Sequence, residues 1–408
     1  MRYNNFSFYN KNCIVFLITD TIYKRKLCIL CIRRTNMRKS YEPLKLPIDN
    51  LININEFINE LVEANKLIGI YEVLLNKSKV NPRLLLTPIT LQEAIQSTKI
   101  EGTQVTLDDM LEYAVDESKK NDGIQEVINY SAALNAGERL IGRLPISTRL
   151  IKELHKILLS GEIRGSSRSP GEFRSIQNFI GPTGCTIETA SYVPPEPQLV
   201  ADYMSNLEKY INEPTDQLNE LIRIAIIHAQ FETIHPFLDG NGRIGRILIP
   251  LYLYDKEIIS SPNFFISESL EKDKFKYYKL LNDTRIDYNN YNEKEVSKRW
   301  NNWIKFFINA IVTQGKKNIE LIETIDKLYD EVLTKSKNVI SNNKLIDIID
   351  TMFERPIFTK KTILEKVDIP SSTLGLYLNK LEEEQIIYSD GKIRNKKYYF
   401  YDLINILR

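Results

Sequence analysis

Two apolar helical runs flank the dodecapeptide "HPFLDGNGRIGR", His235 to Arg246, and no other stretch so restricts what this chain can become. The preceding run, "ELIRIAIIHAQFETI", has Asp216 and Glu220 near its start, where a helix dipole favours acids. The following run, "ILIPLYLYDKEI", extends a helix from about Gly245, with Pro250 a place for a kink. A glycine-rich turn feeding a helix N-terminus aims backbone N–H groups and the positive dipole end at one spot, which suits a phosphate. Arg243 and Arg246 lie three apart, so both guanidinium groups can reach one polyphosphate from the first helical turn. Asp239 offers the hard oxygen that Mg2+ prefers when substrate phosphates complete its shell. His235, with an ordinary pKa of about 6.5, can serve as a neutral base. The set points to phosphate transfer from a nucleotide onto a hydroxyl. It is neither a G-x-x-x-x-G-K-[ST] loop nor a G-x-G-x-x-G turn after a strand. The plainer alternative makes His235 and Asp239 helix caps and the glycines mere turn formers.

At 408 residues the chain exceeds one ordinary core, and two or three units of roughly 100–200 residues are expected. Its 55 Lys and Arg against 53 Asp and Glu leave a formal charge of +2, so no global charge argues for a nucleic acid or a membrane. Cys13, Cys28 and Cys31 fall in the first 36 residues and Cys185 stands apart. That fits neither a disulfide framework nor a paired-cysteine metal site, and it favours a reducing, cytoplasmic setting. With only His155, His228 and His235 as histidines, zinc chemistry is not expected. The longest apolar run, "NCIVFLIT", is stopped by Asp20 and by "KRK" at 24–26, short of the roughly 20 residues a membrane span requires. Residues 1–36 are expected to be an incidental N-terminal extension, because ordinary domain sequence opens at Met37; a small strand pair is the alternative.

Helical periodicity fills 37–145, in "INEFINELVEANKLIGIYEVLL" and then in "PRLLLTPITLQEAIQSTKIEG", where Thr87 or Thr90 is the expected N-cap and Gly102 a left-handed stop. Within 146–315, "TRLIKELHKILLSG" is a helix and "GEIRGSSRSPGEFR" an ordered loop. "SIQNFIGPTGCTIETASYVPP" reads as a β-hairpin protruding at about 176–195. Residues 316–340 continue a helical pattern as a linker. Residues 341–408 read as three short helices and a hairpin turning at Asp390–Gly391, the pattern of a winged helix. The expected class is mainly α.

The string "HPFLDGNGRIGR" resembles the H-P-F-x-D/E-G-N-G-R-x-x-R motif of Fic-domain proteins, whose typical members are protein adenylyltransferases. The resemblance runs back through "LHKILLSG", "RGSSRSPGEFRSIQNFIGP" and "YVPPEP" and forward to "FKYYKLL", making 146–315 the catalytic core and 176–195 a flap. It implies ATP as co-substrate and Mg2+ or Mn2+ held by Asp239 across the α- and β-phosphates. By the same resemblance, His235 takes the proton from a Ser, Thr or Tyr hydroxyl of a target protein as it attacks the α-phosphate. Backbone N–H groups at Gly240, Asn241 and Gly242 form the anion hole, and Arg243 and Arg246 bind the β- and γ-phosphates, with Gly245 allowing close approach. Phe237 packs inward, the target docks on the flap by strand addition, Val193 lies over the nucleotide, and Tyr278 contacts adenine beside Tyr277. Relatives acting as kinases lose the third glycine and second arginine, which this chain keeps, so AMP transfer is the expectation.

A second motif, "STKIEG", places Ser97 and Glu101 on one face of a helix near its C-terminal end, where a carboxylate is disfavoured unless a cation faces it. A solvated glutamate before the stop Gly102 is the plain reading. The string is similar to the inhibitory [ST]-x-x-x-E-[GN] motif of one Fic class, which makes about 88–102 an inhibitory helix. That resemblance implies that Glu101 pairs with Arg246 and displaces the γ-phosphate, and that it can also position water for AMP removal.

The rival reading is a nucleotide-sensing transcription regulator using the winged helix. Its wing, "DGKIRNKKYYF", carries four basic residues, but 343–408 holds 11 Lys and Arg against 10 Asp and Glu, too even for phosphate-driven DNA binding. Protein docking or homodimerisation by this module is preferred.

Overall fold

The computed structural model describes residues 40–78, 80, 82–161, 163–182, 184–285 and 292–408. The expected extension at 1–36 lies outside the described residues. Fifteen helices and one small sheet follow among those described: α1 (Ile58–Lys77), α2 (Pro82–Ile100), α3 (Leu107–Tyr113), α4 (Asp122–Ile141), α5 (Thr148–Leu158), α6 (Val200–Asn212), α7 (Glu220–Ile234), α8 (Asn241–Asp255), α9 (Ser267–Lys272), α10 (Lys274–Asp283), α11 (Glu293–Val339), α12 (Leu345–Glu354), β1 (Ile357–Thr359), α13 (Lys360–Leu364), α14 (Ser371–Glu383), β2 (Tyr388–Ser389), β3 (Lys397–Tyr399) and α15 (Tyr401–Leu407).

At the centre, α7 and α8 pack on each other, and the two apolar runs explain why. Every side chain from Leu221 to Ile234 is buried, and α8 is buried from Arg243 to Leu253. A helix apolar all round must be covered on all sides. Helix α4 covers α8, α5 packs on α4 and α8, and α6 and α11 cover α7. Asn219 caps α7, its side chain accepting from the Leu221 N–H. The Trp303 indole N–H of α11 donates to the Ala225 carbonyl at 2.9 Å.

Helix α2 lies against α4, α8 and α9, with α12 beside it. It begins at Pro82, so neither Thr87 nor Thr90 is its N-cap, and Pro88 sits inside it. The first turn of a helix already lacks acceptors for its N–H groups, so proline is tolerated there. Helix α11 is continuous over 47 residues and passes straight through residue 316, so the helical segment expected at 316–340 continues a helix that begins at Glu293. Buried Ile322, Ile325, Leu328, Tyr329 and Val332 carry its inward stripe on toward the C-terminal module.

The hairpin expected at 176–195 is reduced to one antiparallel bridge between Ile180 and Tyr192, with N···O distances of 2.8 and 3.0 Å. Pro182, Pro194 and Pro195 flank it, and proline cannot donate to a ladder. In the C-terminal module the strand order is β1-β3-β2, all antiparallel, with Ile357 opposite Tyr399 and Tyr399 opposite Tyr388. The three expected helices and the hairpin are present, with β1 between the first two helices and α15 added at the end. No helix among the described residues is long and apolar enough to cross a membrane.

Candidate active site

The loop joining α7 to α8 is built to hold an unfavourable backbone. His235 closes α7 in the left-handed region (φ +49), and Gly240 opens α8 at φ +75. Left-handed backbone suits glycine, so His235 must be held there by its surroundings. The Arg174 guanidinium does much of this: Nε donates to the His235 carbonyl (3.0 Å), and NH2 donates to the Pro195 carbonyl (2.5 Å) and, more distantly, that of Ile234 (3.4 Å). Its backbone N–H donates to the Pro236 carbonyl at 2.9 Å. A buried cation thereby caps the C-terminal carbonyls of α7, the favourable end for positive charge.

The middle of the loop is anchored by Phe237 and Asn241. Phe237 is fully buried, as expected, and stacks on the His155 ring with centroids 3.7 Å apart. The Asn241 side chain accepts from the Phe237 N–H and donates to the Phe237 carbonyl, both at 2.9 Å. The Gly171 N–H donates to His155 Nδ1 (2.8 Å), so the ring proton is on Nε2, which donates to the Asp239 carbonyl (3.0 Å). Burial, assisted by the Arg243 charge, pushes His155 down to about 4 and keeps it neutral.

These anchors bring six expected residues to one place. His235 is pushed down to about 3 by burial and by the positive Arg285 and Arg174 beside it, so it is a neutral imidazole at pH 7. The Asp239 carboxylate accepts from the Gly240 N–H at 2.7 Å and is just over a quarter exposed. A Cβ on Gly165 would come within 2.9 Å of its Oδ2. Arg243 is fully buried, with Nε unpartnered and only long ion pairs, 3.5 Å each, to Glu126 and Asp239. Burial lowers its pKa. A buried guanidinium with spare donors is an anion site.

Arg246 is held from α2. Its Nε donates to Ser97 Oγ (2.8 Å), and its NH2 donates to the Ser97 carbonyl (3.0 Å) and to Glu101 Oε1 (2.6 Å). Burial disfavours the charges of both partners. The pair wins on each side: Arg246 is held firmly cationic, and Arg246, with help from Arg243, holds the Glu101 carboxyl below its ordinary value. A Cβ on Gly242 would lie 2.2 Å from Glu101 Oε1, so this glycine is what admits the carboxylate to the start of α8. Gly102, at φ +100, ends the α2 segment as expected. Lys274 donates to the Ile100 carbonyl and Arg164 to that of Glu101, cations at the C-terminal end of α2.

Two expectations fare differently. Tyr278 is 41% exposed and electrostatically coupled to Glu101 and Arg246, whereas Tyr277 is core, its OH donating to His228 Nε2 at 2.9 Å. Val193 is buried, and its carbonyl accepts from the Tyr41 N–H (3.0 Å). Reasoning from sequence missed His155, Arg174 and Glu232. Only Glu232 carried a signal, a carboxylate inside a mostly apolar helical run, where burial demands a partner.

A helix–loop–helix thus presents a neutral histidine, an acid and two buried arginines around one helix N-terminus. Residues 145–253 match the Fic/DOC family and residues 58–139 its N-terminal family, so the chain carries a Fic domain preceded by the N-terminal region that accompanies it. It is 30% identical over 204 residues to proteins named protein adenylyltransferase Fic from Drosophila grimshawi and Drosophila virilis, covering 48% of this chain and 38% of each relative. The match thus spans well under half the length of those relatives. Among solved structures, a Fic family protein from Desulfovibrio desulfuricans aligns over 88% of this chain and 98% of its own, with a TM-score of 0.52 and 19% identity. A Fic domain containing signaling protein from Bacteroides thetaiotaomicron aligns over 65% and 97%, with a TM-score of 0.50 and 20% identity. These two carry the fold alone.

Proposed function

We propose that this chain is a protein adenylyltransferase that moves AMP from ATP to a Ser, Thr or Tyr hydroxyl of a protein and is restrained by its own Glu101. The observation that carries the reading is the seat of Arg246: a guanidinium at the start of α8, facing the same loop as His235, and taken by a carboxylate from α2. A carboxylate bound where a helix dipole and two arginines converge occupies an anion site. ATP competes for that site with its γ-phosphate.

In the transfer, the target hydroxyl oxygen forms a bond to the α-phosphorus while the bond to the bridging oxygen breaks and pyrophosphate leaves. His235, neutral at pH 7, accepts the hydroxyl proton. Gly240 and Gly242 bare the first N–H groups of α8, where charge builds on the α-phosphate oxygens. Asp239 would hold Mg2+, which supplies charge neutralisation across the phosphates. The fit is that of a single carboxylate: no cluster of three or more His, Cys, Asp or Glu among the described residues could hold a metal, so phosphate and water oxygens must complete the shell.

The regulator reading is less well supported, because three of the four wing cations are paired within the chain. Lys392 pairs with Asp390 (3.4 Å), Lys396 with Glu382 (3.0 Å) and Lys397 with Glu112 (2.8 Å). Incubation with ATP labelled at the α-phosphate tests the proposal. Glu101→Gly is expected to raise transfer to the protein itself or to lysate proteins by tenfold or more, roughly the effect of losing a charge-assisted bond of ~1.5–3 kcal/mol. His235→Ala is expected to abolish it. Label arriving only from the γ-phosphate would convert the reading to a kinase, and no transfer by Glu101→Gly would end it.

A further inference from the structure

Glu232 has no part in the transfer step as written. It lies on α7 three residues before His235, buried, inside a run that is otherwise mostly apolar. Its Oε1 and the Nδ1 of His235 are both buried without a hydrogen-bond partner within ordinary distance, the Glu232 backbone carbonyl being the other acceptor that faces the ring, and its Oε2 stands 3.9 Å from that Nδ1. A buried polar atom left unpaired costs ~1–3 kcal/mol, and here two are neighbours. Gly245 keeps the space for this carboxylate: a Cβ there would come within 2.6 Å of Glu232 Oε1.

The charged and titratable groups facing Glu232 are Glu101 from α2, His235, Arg246 from α8, Tyr277 and Tyr278 from α10, and Arg285 beyond α10. Burial pushes its carboxyl up to about 7 and the Glu101 charge adds to the rise, against the pull of Arg246 and Arg285. While Glu101 sits on Arg246, its charge therefore works against the Glu232 anion, and substitution of Glu101 lets Glu232 ionise more readily. His235 needs that anion, because a buried imidazole flanked by Arg174 and Arg285 is available as a base but weak.

We infer that Glu232 is the positioning carboxylate of His235: it accepts the Nδ1–H in a hydrogen bond, turns Nε2 toward the target hydroxyl, and balances the imidazolium that forms. The pairing stands on geometry; its effect on rate rests on the adenylyl-transfer reading. The hydroxyl proton ends on Nε2, the new cation is offset by the Glu232 anion, and the proton then passes to water. A carboxylate that orients a histidine base and stabilises its charged form is a recurrent device in acyl transfer.

The test uses the full chain with 15N-labelled histidine, which has only three rings to assign. Ring shifts are titrated in Glu101→Gly and in Glu101→Gly with Glu232→Gln, and transfer rates are measured on the same samples. The expected result is a His235 pKa lower by about one unit or more in the Gln variant. The transfer rate is expected to fall about 10- to 100-fold with KM for ATP unchanged. Glu232→Asp, which keeps the charge but is one methylene shorter, is expected to lower both by less. It decides the matter should the Gln variant fail to fold. A His235 titration indifferent to Glu232 overturns the inference whatever the rate does. A titration that responds while Glu101→Gly transfers no AMP leaves the pairing standing and removes the adenylyl-transfer reading.

Discussion

Arg246 shows how one residue acquires two uses. Its guanidinium is fully desolvated, so it binds an anion strongly, and the chain supplies an internal one through Glu101. Gly242 belongs to both uses, since the space it leaves is filled by the Glu101 carboxylate. Gly242→Ala is accordingly expected to expel Glu101 and, unlike Glu101→Gly, to give no gain in AMP transfer, because the added methyl also obstructs the phosphate seat. Calorimetric titration with ATP checks this: affinity should fall in Gly242→Ala and rise in Glu101→Gly. At this scale much was legible in the sequence. The identities of His235, Asp239, Arg243, Arg246, Ser97 and Glu101 could be read from their motifs, because each motif is local and its chemistry is carried by side-chain type. Arg174 and His155 were not legible, since their partners are backbone carbonyls and N–H groups brought close only by the fold.

Helix α2 resolves a local conflict. A carboxylate one residue beyond its C-terminal turn faces the negative end of its own dipole. Lys274 and Arg164 answer the carbonyls of that turn, and the carboxylate itself reaches across to the positive end of α8. The loop between α7 and α8 depends in turn on α5, through His155. Phe237→Ala removes a stacked, fully buried ring and is expected to destabilise the protein by about 3–5 kcal/mol, measured by denaturant unfolding. His155→Ala is expected to lower transfer by the Glu101→Gly protein with little change in helix content, since it frees the Asp239 carbonyl without touching substrate; circular dichroism beside the labelled-ATP assay separates the two effects. The helices around the site were legible from their period. The hairpin at 176–195 was legible as well, but not its reduction to a single bridge between Ile180 and Tyr192.

On the scale of the whole molecule, the C-terminal module leans on the region just after α2. Glu112 beside α2 accepts from Lys397 (2.8 Å) and the Tyr399 OH (3.2 Å), and Arg408 pairs with Asp108 (2.9 Å). Glu112→Ala is expected to loosen this docking by roughly 1 kcal/mol, seen as faster amide hydrogen exchange in α3 and β3 with α7 and α8 unchanged. Stability should also depend on pH in a definite direction. His155, His228 and His235 are pushed down to about 4, 3 and 3 by burial, so below about pH 6.5 the unfolded chain binds protons that the folded one refuses. Glu93 and Glu232, pushed up to about 7 by burial, act oppositely down to about 4.5. Three histidines against two carboxylates leave the balance with the histidines, so stability is lost as pH falls between about 6.5 and 4.5. Thermal melts at stepped pH should show the midpoint falling over that window.

The amino-acid order by itself determined the helical class and the residues of the glycine-rich loop, because period and local motif are properties of neighbouring residues, whereas the pairing of Glu101 with Arg246, which sequence offered only through a resemblance, is made by the fold. Only the tertiary structure decided that α11 runs unbroken through residue 316, that Val193 is buried, and that the wing lysines are spent on neighbouring acids. Glu232 is the clearest case. In sequence it is one acid in an apolar helix; in the fold, burial leaves it unpaired beside the His235 imidazole, in space that Gly245 keeps open.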